Sequence, residues 1–456
     1  MRILRQKTNQ KSASLMVGVS GVRGIVGESL TPEVLTRFAC AFGTYLHRGR
    51  VVIGRDTRST GTMVQPLVTS CLLATGCVVI DIGICPTPTC QVMVEHLKAD
   101  GGIIISASHN PVEWNALKFF GSDGIYLNAE EGTSLLKIYD QGPLSFASWD
   151  QVPSSEVNSH ALDIHMEMVL SGIDIESIRK KKFKVALDGC NGAGSVITPR
   201  LLESLGCDVE LLWCDPNGTF PRDPEPIKEN LSELASFVKR TRSDIGFAQD
   251  ADADRLAMVS EEGVILGEEY SLAMITEWLL SQTPGKIVAN LSTSRMLDDL
   301  AKKYKGELIR TKVGEVNVAR KIQETRAVIG GEGNGGIIDP KFHLGRDSLV
   351  GIVRMLEYMA HENTRVSQLA ARLEKYYMTK LKTNVSPDGY AKVIDFFQKK
   401  YKMEKISLLD GIRVDWEDSW IHVRPSGTEP IVRVIAEAKD SHRVNALCEE
   451  ALNMLA

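Results

Sequence analysis

Five times in this chain a short aliphatic run ends in a turn bearing glycine, serine or acid, and a helical pattern follows. Val51-Val52-Ile53 leads into Gly54-Arg55-Asp56, Val78-Val79-Ile80 into Asp81-Ile82-Gly83, and residues 102–105 into Ser106-Ala107-Ser108. Further on, residues 184–187 lead into Asp188-Gly189, and residues 245–248 into Gln249-Asp250. Strands that alternate with helices require layered α/β architecture. In such sheets ligands sit at the carboxyl ends of strands. The chemically loaded residues of this chain recur at those ends.

The spacing predicts a helix over 31–46, with Thr31 as N-cap and Pro32 in the first turn, and another over 231–240. Residues 143–153 read as a linker, with a helix beginning near Asn158. A second boundary falls near Glu261-Glu262-Gly263, and a helical hinge is expected around residues 364–375. The last part differs: residues 412–414, 420–423 and 431–436 read as strands, and an amphipathic helix follows over 441–455. The expected division is 1–152, 153–260, 261–373 and 374–456.

With 456 residues the length suits several domains. A net charge of −5 gives no global basic excess, so neither nucleic acid nor an anionic membrane surface is an expected partner. No window approaches an uninterrupted apolar span, and the polar, basic start reads as an arm rather than a targeting signal. The nine cysteines are scattered; Cys85 and Cys90 have no companion His cluster for zinc. Reduced thiols in a cytoplasmic enzyme are the expectation.

Four segments carry chemistry. Ser106-Ala-Ser-His-Asn-Pro111 presents a hydroxyl at a strand end, yet no Gly-x-Ser-x-Gly elbow surrounds it. By local physics alone it is a polar turn in which Ser108 and Asn110 bond the backbone. Asp250-Ala-Asp-Ala-Asp-Arg255 can aim three carboxylates at one hard cation such as Mg²⁺, or remain a solvated acidic turn. An EF-hand is disfavoured because Arg255 stands where its glycine is required. Gly330-Gly-Glu-Gly-Asn-Gly-Gly336 has five glycines, which let backbone approach a ligand or leave a flexible loop. Arg424-Pro-Ser-Gly-Thr-Glu-Pro430, with Arg433 beyond, reads as an oxyanion cradle or a capped surface turn.

Together, in this order, these segments resemble the α-D-phosphohexomutase family. Gly18-Val-Ser-Gly-Val-Arg-Gly24, Gly54-Arg-Asp-Thr-Arg58, Pro86-Thr-Pro88 and Gly218-Thr-Phe-Pro221 support the likeness, which extends from about residue 16 to the end. The resemblance implies three related α/β domains and a smaller C-terminal α+β domain around a central cleft. It implies a phosphoserine at Ser108, with Asp250, Asp252, Asp254 and a phosphoserine oxygen holding Mg²⁺. Arg23, Lys118 and His109 would serve the transferring phosphate. Arg255, Glu332 and Asn334 would face the substrate, and Arg424, Ser426, Gly427, Thr428 and Arg433 would hold its second phosphate. The implied activity interconverts hexose 6- and 1-phosphates through a hexose 1,6-bisphosphate.

The sugar loop of many relatives reads Gly-Glu-x-Ser-Gly-His, whereas here Asn334 and Gly336 replace the serine and histidine. His343 is considered as a substitute from a flanking segment. Thr311-Lys-Val-Gly314 and the Arg424 segment look closer to phosphoglucosamine mutases, and to relatives with broad glucose and mannose phosphate activity, than to the classical phosphoglucomutases; glucosamine phosphate is the expected substrate and broad hexose specificity the alternative. A non-catalytic phosphosugar-binding homologue would need neither Ser108 nor the aspartates. Monomer and homodimer both remain open.

Overall fold

The computed structural model describes residues 2–4, 15–18, 21–383, 387–425 and 431–455. Among them lie four sheets. The first has a parallel centre of Gly101–Ile105, Arg50–Arg55 and Val78–Ile84, with Trp114–Gly121 antiparallel to Gly101–Ile105. Gly21–Ile25, Leu15–Gly18 and Arg2–Leu4 extend that antiparallel wing. Glu156–Val157 closes the opposite edge, so chain beyond residue 152 still belongs to this sheet.

The second sheet runs Asp208–Leu212, Lys184–Asp188, Ile245–Gln249, Leu256–Ser260, and only the last pair is antiparallel. The third repeats that plan with Glu307–Thr311, Lys286–Asn290, Ile329–Glu332 and Gly336–Ile338. The centre of the first sheet has the same order. In each, the connection from the third parallel strand to its antiparallel neighbour carries a chemical segment: Ser106–Glu113 in the first, Asp250–Arg255 in the second, Gly333–Gly335 in the third. The fourth sheet is wholly antiparallel, ordered Tyr377–Thr383, Val432–Ala438, Ser419–Pro425, Ile412–Asp415, Lys405–Ser407. Helices Pro387–Lys400 and Ser441–Leu455 cover its apolar face.

The helix Pro32–Tyr45 starts as expected, with Thr31 Oγ1 accepting from the Val34 N–H. The central strands are buried on both faces, which is why they read as continuous apolar runs. The second and third sheets share one core, bridged by helices Glu268–Gln282 and Ser348–Glu362. The latter is buried all round over most of its length, the mark of an interior helix. The fourth sheet has a core of its own.

Two expectations need correction. The helical hinge is only the single turn Val366–Ala370, and the chain then enters the strand Tyr377–Thr383. Asp81-Ile82-Gly83 is not a turn but continues the strand Val78–Ile84, with Gln65 Nε2 donating to Asp81 Oδ1. Among the described residues no helix is long and apolar enough to cross a membrane.

Candidate active site

Ser108 sits at φ +49, a left-handed conformation that costs a β-carbon residue free energy unless neighbours impose it. Arg58, wholly buried, imposes it. Its Nη2 donates to the carbonyls of Ser108 (2.8 Å) and Asn110 (2.6 Å), and its Nη1 to that of Trp114 (3.0 Å). Its Nε pairs with Asp56 at 3.1 Å. Asp56 also accepts from Ser106 Oγ (2.6 Å), which in turn accepts the Ser108 N–H (2.9 Å). The hydroxyl of Ser108 is left to point outward, and it donates to Asp250 Oδ2 at 2.7 Å.

The acidic turn curls so that carboxylate oxygens of Asp250, Asp252 and Asp254 lie within 4.8 Å of one another, all buried. Each carboxylate is held from outside. Asp250 Oδ1 accepts the N–H groups of Asp254 and Arg255, both at 3.2 Å. Asp252 Oδ2 receives Lys118 Nζ (2.7 Å) and Thr87 Oγ1 (2.5 Å). Asp254 Oδ2 receives Arg346 Nη2 at 2.5 Å. Asp252 Oδ1 and Asp254 Oδ1 are buried without a hydrogen-bond partner, the latter 3.8 Å from Arg255 Nε. Burial, then the charges of Asp254 and Asp252, push the Asp250 carboxyl well above its usual range. Burial opposes the Asp252 charge too, but the Lys118 ammonium keeps it ionised. Hard oxygens with two orphaned inward atoms and mutual repulsion fit a small divalent cation.

Arg23 and Lys118 lie on adjacent strands, Gly21 opposite Lys118 and Arg23 opposite Ala116, so both side chains face one side of the sheet. Arg23 Nη1 donates to Asn110 Oδ1 at 3.0 Å. Gly21 is required there, because at φ +137 an added Cβ would lie 2.0 Å from the Leu117 carbonyl oxygen. His109 Nδ1 accepts from Arg255 Nη2 at 2.9 Å, which places its proton on Nε2. Burial, and then the charges of Arg255, Arg23 and Arg433, hold His109 neutral. Arg255 also reaches Glu225 at 3.1 Å.

On the sugar side, Glu332 Oε1 accepts from Asn290 Nδ2 (2.8 Å) and the Gly314 N–H (2.9 Å), and Oε2 from Arg346 Nη1 (2.9 Å). Burial opposes its charge, yet Arg346 keeps it below the usual range. Asn334 Oδ1 turns back onto the Gly336 N–H at 3.1 Å. An added Cβ at Gly336 would lie 2.2 Å from Arg346 Cδ, so Arg346 fills the space that a side chain at this position would need. His343 does not take that place. It is buried against Asp347 (3.0 Å), beside His165, and its Nδ1 accepts the Gly345 N–H.

In the fourth sheet Arg424 and Arg433 are direct cross-strand partners. Like charges so paired repel, and an anion between them relieves the repulsion. Arg424 Nε also meets Asp410 at 3.0 Å, and Asp410 accepts the Val313 N–H at 3.0 Å. Ser426, Gly427 and Thr428 lie outside the described residues. Lys380 Nζ reaches from this sheet to Glu268 (2.8 Å), Glu269 (2.9 Å) and the Gly333 carbonyl (3.1 Å).

The Ser108, acidic and glycine segments thus converge, and Lys380 of the fourth sheet reaches the last of them. Arg58, Thr87, Arg346 and Lys380 hold these segments in place, and the sequence alone does not single them out. Arg58 and Thr87 stand inside motifs but have no evident partner along the chain; Arg346 and Lys380 carry no local pattern at all.

The chain matches the family described as phosphoglucomutase/phosphomannomutase in all its parts. Alpha/beta/alpha domain I matches over residues 14–144, domain II over 163–263, domain III over 267–377 and the C-terminal domain over 363–454. A phosphoglucomutase/phosphomannomutase of Thermococcus kodakarensis is 39% identical, covering 96% of this chain and 98% of that protein. A phosphoglucosamine/phosphogalactosamine mutase of Sulfurisphaera tokodaii is 34% identical, covering 95% and 98%. The crystal structure of a phosphoglucomutase/phosphomannomutase family protein from Burkholderia thailandensis superposes with a TM-score of 0.83 at 27% identity, covering 95% of this chain and 96% of that one.

Proposed function

The chain belongs to the phosphoglucomutase/phosphomannomutase family and is a phosphohexomutase, an isomerase-type phosphotransferase, and on that premise we propose that Ser108 carries the phosphate it transfers. The observation that supports this most is the bond from Ser108 Oγ to Asp250 at 2.7 Å, inside a cage of three buried carboxylates. Asp250, Asp252 and Asp254, with a phosphoserine oxygen, would hold Mg²⁺. Bound there, Mg²⁺ supplies charge neutralisation to the phosphate oxygens.

The residues of the chain do the rest. Phosphoserine 108 gives its phosphoryl group to a free sugar hydroxyl: the bond from Oγ to phosphorus breaks as one from the sugar oxygen forms. The proton lost by the hydroxyl equals the one needed by the departing serine oxygen. Lys118, donating to Asp252, and Arg23, tied to Asn110, bring cations to that transfer. His109 offers an Nε2–H donor rather than a charge. The resulting hexose 1,6-bisphosphate turns over, with Arg424 and Arg433 holding whichever phosphate is not reacting and Glu332 reading the ring hydroxyls. Ser108 then recovers the other phosphate.

The preferred substrate is a hexosamine phosphate, with glucosamine 6-phosphate and 1-phosphate as the pair interconverted. Around the sugar loop Glu315 and Glu332 share Arg346, with Asp254 committed to the cation, and Glu268 lies beside Lys380 with Glu269 partly protonated. That excess of carboxylate over cation favours a protonated amine at C2. The Sulfurisphaera relative is named for amino sugars. The Thermococcus relative is named for glucose and mannose phosphates, which makes broad hexose specificity the second reading. The test is kcat/KM for glucosamine, glucose and mannose phosphates with catalytic 1,6-bisphosphate present. Equal values for all three would favour the second reading, and full turnover by Ser108→Ala would remove the phosphoserine. The nine unpaired cysteines accord with a cytoplasmic enzyme.

A further inference from the structure

Three carboxylates from three separate segments meet one guanidinium. Arg346 Nη2 holds Asp254 Oδ2 of the acidic turn at 2.5 Å, Nη1 holds Glu332 Oε2 of the sugar loop at 2.9 Å, and Nε holds Glu315 Oε2 at 2.9 Å. The side chain is only 10% exposed, so water screens little of this. Its stem lies against Gly336, where a Cβ would collide with it. The next residue, Asp347, is fixed at both oxygens: Oδ1 caps the helix Ser348–Glu362 at the Leu349 N–H (2.8 Å), and Oδ2 receives His165 (2.8 Å) and His343 (3.0 Å).

We propose that Arg346 is a positioning residue that shares one positive charge between the metal loop and the sugar loop, so that cation binding and sugar binding are linked through it. The inference rests on assigning a divalent cation to the three aspartates and the sugar to Glu332. A dication beside Asp254 takes over the neutralisation that Arg346 supplies, and the guanidinium charge then falls on Glu332 and Glu315. Conversely, whatever loosens Glu332 returns Arg346 to Asp254. Such linkage is reciprocal by necessity.

The sign of the effect distinguishes this role from a merely structural one. Loss of packing weakens both sites together. Loss of a shared counter-charge weakens the sugar site but tightens the cation site, because a positive charge in direct contact with a ligand carboxylate is gone. The experiment is a Mn²⁺ titration by electron paramagnetic resonance on protein with Ser108 unphosphorylated, alongside steady-state kinetics. Arg346→Met is expected to bind Mn²⁺ about tenfold or more tightly than the native chain while KM for hexose phosphate rises about tenfold. Arg346→Lys keeps the charge and loses the fork, and falls between on both measures. Should Arg346→Met fold poorly by circular dichroism, Glu315→Gln is the second variant: freed from one carboxylate, Arg346 leans on Asp254 and Mn²⁺ binds more weakly. Unchanged Mn²⁺ affinity in these folded variants, or loss of Mn²⁺ and sugar together, overturns the role of Arg346. A native chain that takes up no Mn²⁺, with Asp252→Asn indistinguishable from it, overturns the metal assignment and this inference with it.

Discussion

At the scale of residues, the Ser108 turn is defined less by its own hydroxyl than by the guanidinium behind it. Arg58 satisfies carbonyls on both sides of Ser108 and neutralises Asp56, and so stabilises a backbone conformation that serine alone would leave. Arg58→Met is expected to lower kcat at least about a hundredfold, because a slackened loop no longer aims Oγ. It is also expected to cost about 3 kcal/mol of stability, because Asp56 is left buried without its cation. Intact-mass analysis would show the same variant poorly phosphorylated at Ser108; normal phosphate occupancy with normal turnover would count against the brace. Gly336→Ala makes a narrower claim. Its methyl group meets Arg346, which three carboxylates hold in place, so KM for the sugar should rise about tenfold and stability should fall by about 1–3 kcal/mol. The three aspartates are legible locally as a candidate cation site, whereas Ser108 and Lys118 become legible only through the ordered set of segments and the family resemblance that set carries. Arg346 is not legible there, since its meaning comes entirely from carboxylates that are distant along the chain.

Among elements, parallel strands are the most readable, because burial on both faces writes them as aliphatic runs. The strand Tyr377–Thr383 escapes such reading: it lies at a sheet edge, half-exposed, and alternates lysine with apolar residues. The helix Pro387–Lys400 escapes it as well, which leaves the fourth domain under-described at the sequence level. The cap of the helix Ser348–Glu362 ties separate parts of the fold to one carboxylate. Asp347 caps it and accepts from His165 and His343, and His165 meets Thr89 of the first domain at 2.8 Å. Burial opposes the charge of Asp347, but His165 and then His343 hold the carboxyl well below its ordinary range. A depressed carboxyl contributes stability that is complete above the unfolded value, about 4, and is lost as pH falls below it. Asp347→Asn should therefore cost about 2 kcal/mol near neutrality and flatten the acid limb of a plot of thermal midpoint against pH. An acid limb identical to that of the native chain would show the histidine bonds to be dispensable.

Across the whole molecule, the second and third sheets are welded by one core while the fourth keeps a separate one. Contacts between the fourth sheet and the rest are largely polar. Lys380 reaches Glu268, Glu269 and Gly333, Arg295 donates to the Glu417 carbonyl, and Ser292 meets His422. Burial raises the Glu269 carboxyl to about 7, with Lys380 pulling the other way. A raised carboxyl favours the folded state most below its unfolded value, and that contribution is lost as pH rises through about 7. At most about 3 kcal/mol is at stake. Glu269→Gln should remove this component, so its thermal midpoint changes less between pH 5 and pH 8 than that of the native chain. Lys380→Met should move the component to higher pH; a profile unaffected by either change would argue that Glu269 titrates normally. The repeated plan of the first three sheets has a wider consequence. One hairpin connection, used at the same place in each, carries the proposed nucleophile Ser108, the proposed cation cage of three aspartates and, beside Glu332, the proposed sugar loop. Such a chain is editable in the way a duplicated gene is editable. Rewriting Gly333–Gly335 would alter the third connection while leaving in place the frames that hold Ser108 and the three aspartates.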